Sequence, residues 1–346
     1  MPDLRPLPKI VLHDHLDGGV RPQTLIDLAP EVGYRELPSD DPGELARLLY
    51  QGDAGSLEEY LDAFRHTFGV MQTPKAMRRV AYECIADLAS EGVVYAEIRF
   101  APSLHLRAGM TRHEAIAGVL EGFEQAEAEF GVTARAIVDI MRQDTDAAEV
   151  AATAAEFVGE GVVGIDLAGP EAEYPPALHS DAIALGRAAG LQVTIHAGEG
   201  AGVDSIAGAL AIGAERIGHG ARIIEDTEVV DGEIVSMGPV AAEVHERRIP
   251  LELCPTSNVH TKMYPTPADH PFGALYRGGF VTTVNTDNRL MSRTTMTREF
   301  ELLAEHHRFA VEDFLTITRA ALDAAFCDEA TKATVRAALE AGYPAP

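Results

Sequence analysis

Short apolar runs rich in Val and Ile alternate with amphipathic stretches along nearly the whole chain. The runs lie near residues 9–13, 93–100, 134–140, 162–167, 192–196, 216–219, 250–254 and 281–286. They are mostly apolar throughout instead of alternating in polarity, which is the pattern of parallel strands covered on both faces. The stretches between them carry helix punctuation. Thr111 and Glu114 form a capping-box pair for a helix that Gly131 can end, Thr73 precedes a Pro suited to a first helical position with Gly92 at the far end, and Asp204 and Gly213 bracket a shorter helix.

Eight strand–helix units predict an α/β fold, a (β/α)₈ TIM barrel forming one domain over residues 1–346, with a doubly wound open sheet as the alternative. Placement of the ionisable residues favours the barrel. They recur at the C-terminal ends of the first, fifth, sixth and eighth strands, and a barrel brings those ends to one mouth. Residues 30–72 are too long for a simple crossover and predict a helical lid after the first strand, with helices near 45–50 and 57–70. Beyond the eighth strand, residues 296–307, 311–326 and 329–341 predict extra C-terminal helices. No internal repeat is evident.

Hydrophobic residues make up 46% of the 346, enough for a substantial core. The formal charge of −26, with few and scattered Lys and Arg, argues against nucleic acid or an anionic membrane as partner. Cys84, Cys254 and Cys327 are far apart and never form a C-x-x-C pair, so neither a disulfide framework nor a thiolate zinc knuckle is expected. Without a signal-like start or an apolar run of about 18 residues, the expected location is the cytoplasm.

The chemistry concentrates in four places: His13-Asp14-His15, His196-Ala197-Gly198-Glu199, His219 and Asp287. Two residues apart on a strand, His13 and His15 point to the same side and can share a metal ion. His196 adds a third imidazole, Glu199 a carboxylate free to carry protons, and Asp287 an oxygen ligand. Three nitrogens and a carboxylate suit Zn²⁺, with Fe²⁺ or Co²⁺ as alternatives, and such a site lowers the pKa of a bound water from about 15.7 to about 7. Hydrolysis is the natural reaction class. One metal per chain is expected, because Lys9, Lys75, Lys262 and Lys332 all lie away from the ends of the middle strands, where a bridging carboxylated lysine would sit. The H-x-E and P-C-x-x-C pattern of cytidine-deaminase-like zinc enzymes is absent.

Taken together, Leu7-Pro8-Lys9, His13-Asp14-His15-Leu16-Asp17-Gly18, Asp166-Leu167-Ala168-Gly169-Pro170-Glu171, His196-Ala197-Gly198-Glu199, Gly218-His219-Gly220, Cys254-Pro255-Thr256-Ser257-Asn258 and Asn285-Thr286-Asp287 resemble the adenosine deaminase family, in the family's order and over nearly the whole chain. The resemblance implies that His13, His15, His196 and Asp287 ligate zinc. It implies that Glu199 protonates purine N1, that His219 orients and helps deprotonate the attacking water, and that Asp287 also holds the nucleophile. For the substrate it implies contacts from His15, from Asp17 to the ribose 5′-hydroxyl, and from the Gly169 backbone N–H to purine N3. Asn288 departs from the second Asp of many members; an amide donates to purine N7 without needing a proton.

The implied substrate is a small-molecule purine nucleoside, adenosine or 2′-deoxyadenosine. Asp17 stands where adenine deaminases of the family carry Glu, and no Lys/Arg cluster near the motifs suits a 5′-phosphate. Adenine, or a modified nucleoside such as an aminofutalosine, is the alternative substrate, and a non-catalytic nucleoside-binding protein the alternative of another class. The remaining histidines, His66, His105, His113, His179, His245, His260, His270, His306 and His307, read as surface or packing residues.

Overall fold

In the computed structural model, which describes residues 3–54 and 57–344, eight strands pair side by side in one sheet. Residues 55 and 56 of the expected lid and the ends of the expected 1–346 domain lie outside the described residues. The strands are β1 (Lys9–His15), β2 (Val93–Phe100), β3 (Thr133–Met141), β4 (Val162–Ala168), β5 (Gln192–Ala197), β6 (Arg216–His219), β9 (Leu251–Leu253) and β10 (Thr282–Val284). All their pairings are parallel and follow chain order. That rules out the doubly wound alternative, whose strand order reverses at a switch point.

The sheet closes at β1 and the end of β10. The N–H of His15 donates to the carbonyl of Asp287 at 2.8 Å and the N–H of Asp287 donates to the carbonyl of His13 at 3.0 Å. One step earlier, Asn285 Oδ1 accepts from the N–H groups of Leu12 and His13 at 2.9 and 3.1 Å, so a side chain takes the place of strand backbone across the seam. The seam therefore falls on the residues singled out for chemistry. From the outer face Asp14 ties it down, accepting from Thr286 Oγ1 at 2.6 Å and from Arg289 Nε at 2.8 Å.

A two-stranded antiparallel hairpin, β7 (Thr227–Val230) and β8 (Glu233–Met237), follows β6 and was not expected from the apolar pattern. Its strands are largely exposed, so the buried-strand signature is missing. The lid runs through helices Pro42–Leu48, Leu57–Leu61 and Phe64–Val70, preceded by Pro22–Leu28. The single run expected at 57–70 is thus broken near Asp62, and both halves bring side chains to the mouth. The capping box of Thr111 and Glu114 is formed, and Gly131 closes that helix at φ 71°. Asp204 differs from expectation, since it lies inside the first turn of helix Val203–Ala211, whose N-cap is Gly202. The chain ends in helices Met296–His307, Val311–Ala324 and Glu329–Gly342. Among the described residues no helix is long and apolar enough to cross a membrane, and all three cysteines are buried and unpaired.

Beneath the lid, His105 is fully buried with Nδ1 2.9 Å from the carbonyl of Met71. Burial pulls its pKa from 6.5 down to about 4. A basic group depressed in the folded state contributes stability that is present above pH 6.5 and lost as pH falls towards 4. The expected result is that urea unfolding midpoints decline over this window and that His105→Gln flattens part of the decline, by up to about 3 kcal/mol. An identical pH profile in the variant would count against it.

Candidate metal centre and adjoining cavity

The ends of the strands aim the ionisable residues at one point. His13 and His15 share a face of β1, His196 is near the end of β5, His219 ends β6, and Asp287 follows β10. His219 and Asp287 both hold left-handed backbone, φ 58° and 57°, a conformation that costs a non-Gly residue energy and clusters at functional sites. One ligand atom each from His13, His196, His219 and Asp287 lies within 4.8 Å of the others. His15 stands beside this group, its Nε2 at 3.2 Å from His196 Nε2 and 3.3 Å from Asp287 Oδ1. Five groups converge, where the sequence suggested four ligands plus a separate His219.

Three of the four imidazoles rest on carboxylates. His13 Nδ1 lies 3.0 Å from Glu252 Oε2, His15 Nδ1 3.4 Å from Asp139 Oδ2, and His196 Nδ1 2.8 Å from Asp166 Oδ2. A carboxylate beside Nδ1 favours the ring hydrogen on that nitrogen, which leaves Nε2 as a lone pair directed at the centre. Two such nitrogens at 3.2 Å call for a positive charge between them: a proton on His15, whose pKa burial lowers but Asp139 and Asp287 raise to about 9, or a divalent ion in that proton's place. The donor set fits a divalent metal on this ground.

Glu171 fixes the neighbouring loop. Its carboxylate accepts from the backbone N–H groups of Gly198, Glu199, Gly200 and Ala201 at 2.7, 3.0, 2.7 and 3.1 Å, fastening the segment that carries Glu199. The Glu199 carboxyl lies 3.5 Å from His219 Nε2. Burial pushes its pKa well above the ordinary carboxylate value, with the charges of Asp287 and Glu171 adding to the effect, whereas burial holds His219 well below its ordinary value. Ser257 Oγ donates to Asp287 Oδ2 at 2.6 Å and orients that carboxylate.

A cavity of about 210 Å³ opens directly over these groups. His15, Asp17, Gly169, His196, Glu199, His219, Asp287 and Asn288 all line it, so every singled-out residue except the fully buried His13 meets the same space. The lid and loops supply an apolar wall of Leu61, Phe64, Phe68, Leu104 and Met141. Asp17 Oδ1 and Asn288 Oδ1 are buried without a hydrogen-bond partner, and burial raises the Asp17 carboxyl to about 7. At Gly169, φ is 100°, a backbone conformation that L side chains rarely adopt, so glycine is favoured there. A roomier hollow of about 710 Å³ lies by the opposite strand ends, lined by Glu121, Glu124, Glu127 and Glu160, away from the imidazoles.

Asp139, Glu252 and Arg99, which support the imidazoles, escaped the sequence reading, while Asn258, quoted only within a motif, and His270, read as a surface or packing residue, were given no part behind His219. Charged residues inside apolar runs, as in Ile98-Arg99-Phe100 and Leu251-Glu252-Leu253, were the available signal.

The adenosine deaminase family model matches residues 8–341. An adenosine deaminase of Mycobacterium ulcerans is 50% identical over 331 residues, covering 93% of this chain and 91% of that protein. Among solved structures, an adenine deaminase from Arthrobacter aurescens superposes with a TM-score of 0.85 at 27% identity, covering 97% of this chain and 98% of that one. An amidohydrolase from Burkholderia ambifaria with bound Zn gives 0.84 at 28% identity, covering 98% and 91%. A barrel whose mouth gathers imidazoles, an acidic Glu and a lidded cavity, matched over nearly its whole length, belongs to the adenosine deaminase family.

Proposed function

We propose that the chain catalyses hydrolytic deamination of adenosine and 2′-deoxyadenosine, converting the 6-amino group to a 6-oxo group with release of ammonia. The observation that carries the reading is the opposed pair of Nε2 atoms on carboxylate-backed His15 and His196, 3.2 Å apart at the floor of a cavity that Glu199 also lines.

One Zn²⁺ per chain is held by His13, His15, His196 and Asp287. The carboxylates behind the three imidazoles support this choice over His219, whose Nδ1 faces the amide of Asn258 at 2.9 Å. When bound, the ion supplies Lewis acidity that makes a water nucleophilic near neutral pH. Glu199 holds a proton at its carboxyl and delivers it to purine N1, which draws electrons from C6 as water adds there. His219 orients the attacking oxygen, and Asp287 keeps it on one face of the ring. Proton transfer to the departing amine completes the exchange of one water for one ammonia.

Asp17 meets the ribose 5′-hydroxyl, the Gly169 N–H meets purine N3, and Asn288 donates to purine N7. Exclusion of bulk water by the apolar lid strengthens each of these polar contacts.

The test is the ultraviolet change from adenosine to inosine with purified protein, with adenine and an aminofutalosine run in parallel. Adenosine is expected to react fastest, a zinc chelator to abolish turnover and added Zn²⁺ to restore it. Reaction of adenine alone would overturn the substrate assignment, and chelator-insensitive turnover would overturn the metal assignment.

A further inference from the structure

Behind His219 lies a buried polar chain that ends on the backbone. The N–H of Phe272 donates to His270 Nδ1 at 3.1 Å, His270 Nε2 lies 2.9 Å from Asn258 Oδ1, and Asn258 Nδ2 lies 2.9 Å from His219 Nδ1. Asn258 is fully buried, and His219 and His270 are nearly so. We infer that Asn258 and His270 are positioning residues that fix the tautomer of His219, leaving Nδ1 as an acceptor and placing the hydrogen on Nε2, towards Glu199 and the reacting atoms. The inference deepens the reading of the site given above.

The direction of every link follows from the first. A backbone N–H can only donate, so His270 Nδ1 is a lone pair and the ring's hydrogen is on Nε2. That hydrogen needs an acceptor, so the Asn258 atom facing it is the oxygen. The amide nitrogen then faces His219 and donates to Nδ1, and the neutral ring carries its hydrogen on Nε2. Burial, which brings His270 down to about 3, keeps that ring neutral and the sequence of donors unambiguous.

The consequence concerns the chemistry of His219. Its lone pair is turned away from the cavity, so the neutral ring has no vacancy at Nε2 for a proton from water. It enters the reaction as a hydrogen-bond donor that orients the nucleophile, in contrast to the base expected from the family resemblance; the proton that water loses passes to the Asp287 carboxylate, beside the same oxygen, and from there to the departing amine. The left-handed backbone at His219 and the bond from Gly220 N–H to the carbonyl of Ala197 at 3.0 Å hold the ring where this donation is aimed.

The tautomer can be read directly in zinc-loaded protein labelled with ¹⁵N-histidine, using two-bond ¹H–¹⁵N correlations and a His219→Gln sample to assign the signal. A protonated Nε2 and an unprotonated Nδ1 are expected; the reverse pattern would overturn the inference without any further variant. Asn258→Asp presents acceptors to both rings and should move the His219 hydrogen to Nδ1. With it, kcat should fall about 10- to 100-fold, while KM changes less than about threefold and the unfolding midpoint is retained. An unchanged tautomer and kcat in that variant would also overturn it. Turnover of adenosine by the unaltered protein is a separate readout. The expected nitrogen pattern without turnover supports the tautomer assignment and removes the activity proposed above.

Discussion

Glu199→Gln is expected to lower kcat for adenosine by about a thousandfold, within the range of a lost general acid, with KM changed far less. Glutamine keeps the size and a hydrogen bond to purine N1, but it cannot release a proton. The loop geometry should survive, because Glu171 grips this segment through backbone N–H groups, including that of residue 199, which any side chain leaves in place. Zinc content and unfolding midpoint therefore serve as controls that stay constant. The pH profile gives the sign. A carboxylic acid whose pKa is pushed well above its ordinary value by burial, then by Asp287 and Glu171, is active in its protonated form, so kcat holds on the acid side and falls as pH rises through that pKa. The substituted amide cannot titrate, so the residual rate of the variant should lose this alkaline limb. Full turnover in Glu199→Gln would remove the proton-transfer role.

The barrel was legible because parallel strands buried on both faces leave uninterrupted apolar runs, and all eight expected strand ends lie within two residues of the observed ones. The eighth was overrun at 285 and 286. There the backbone of Asn285 still bonds β9, but it is its side chain that satisfies two β1 amides, which apolarity alone does not reveal. The hairpin at 227–237 was invisible for the opposite reason, its strands facing solvent. In the site, His13, His15, His196, Glu199, His219 and Asp287 could be read because each sits where an apolar run ends. His270 could not. It lies on the segment leading into a short helix, and only the folded chain places it against Asn258 and gives that asparagine a direction.

Arg99 illustrates the same gap with a larger energetic consequence. Its guanidinium is wholly buried inside the barrel, donating to Asp166 Oδ2 at 2.5 Å, to Glu252 Oε2 at 2.7 Å and to the carbonyl of Leu12 at 2.7 Å. Those two carboxylates in turn hold His196 and His13. Burial opposes their charge, yet His196 and Arg99 keep Asp166 well below its ordinary pKa, and Arg99 with Arg216 does the same for Glu252. Arg99→Met matches the length and apolar stem but leaves two buried carboxylates with one cation fewer. The expected loss is about 3–5 kcal/mol of stability, read by urea unfolding, together with about 10- to 100-fold weaker zinc binding, read by chelator competition. Arg99→Lys should fall between, because an ammonium keeps the charge but cannot reach both carboxylates with a planar fork. Stability within about 1 kcal/mol of the unaltered protein, on the scale of an exposed ion pair, would mean that Arg216 and the imidazoles alone balance the acids. The charge at position 99 would then be dispensable to the metal centre.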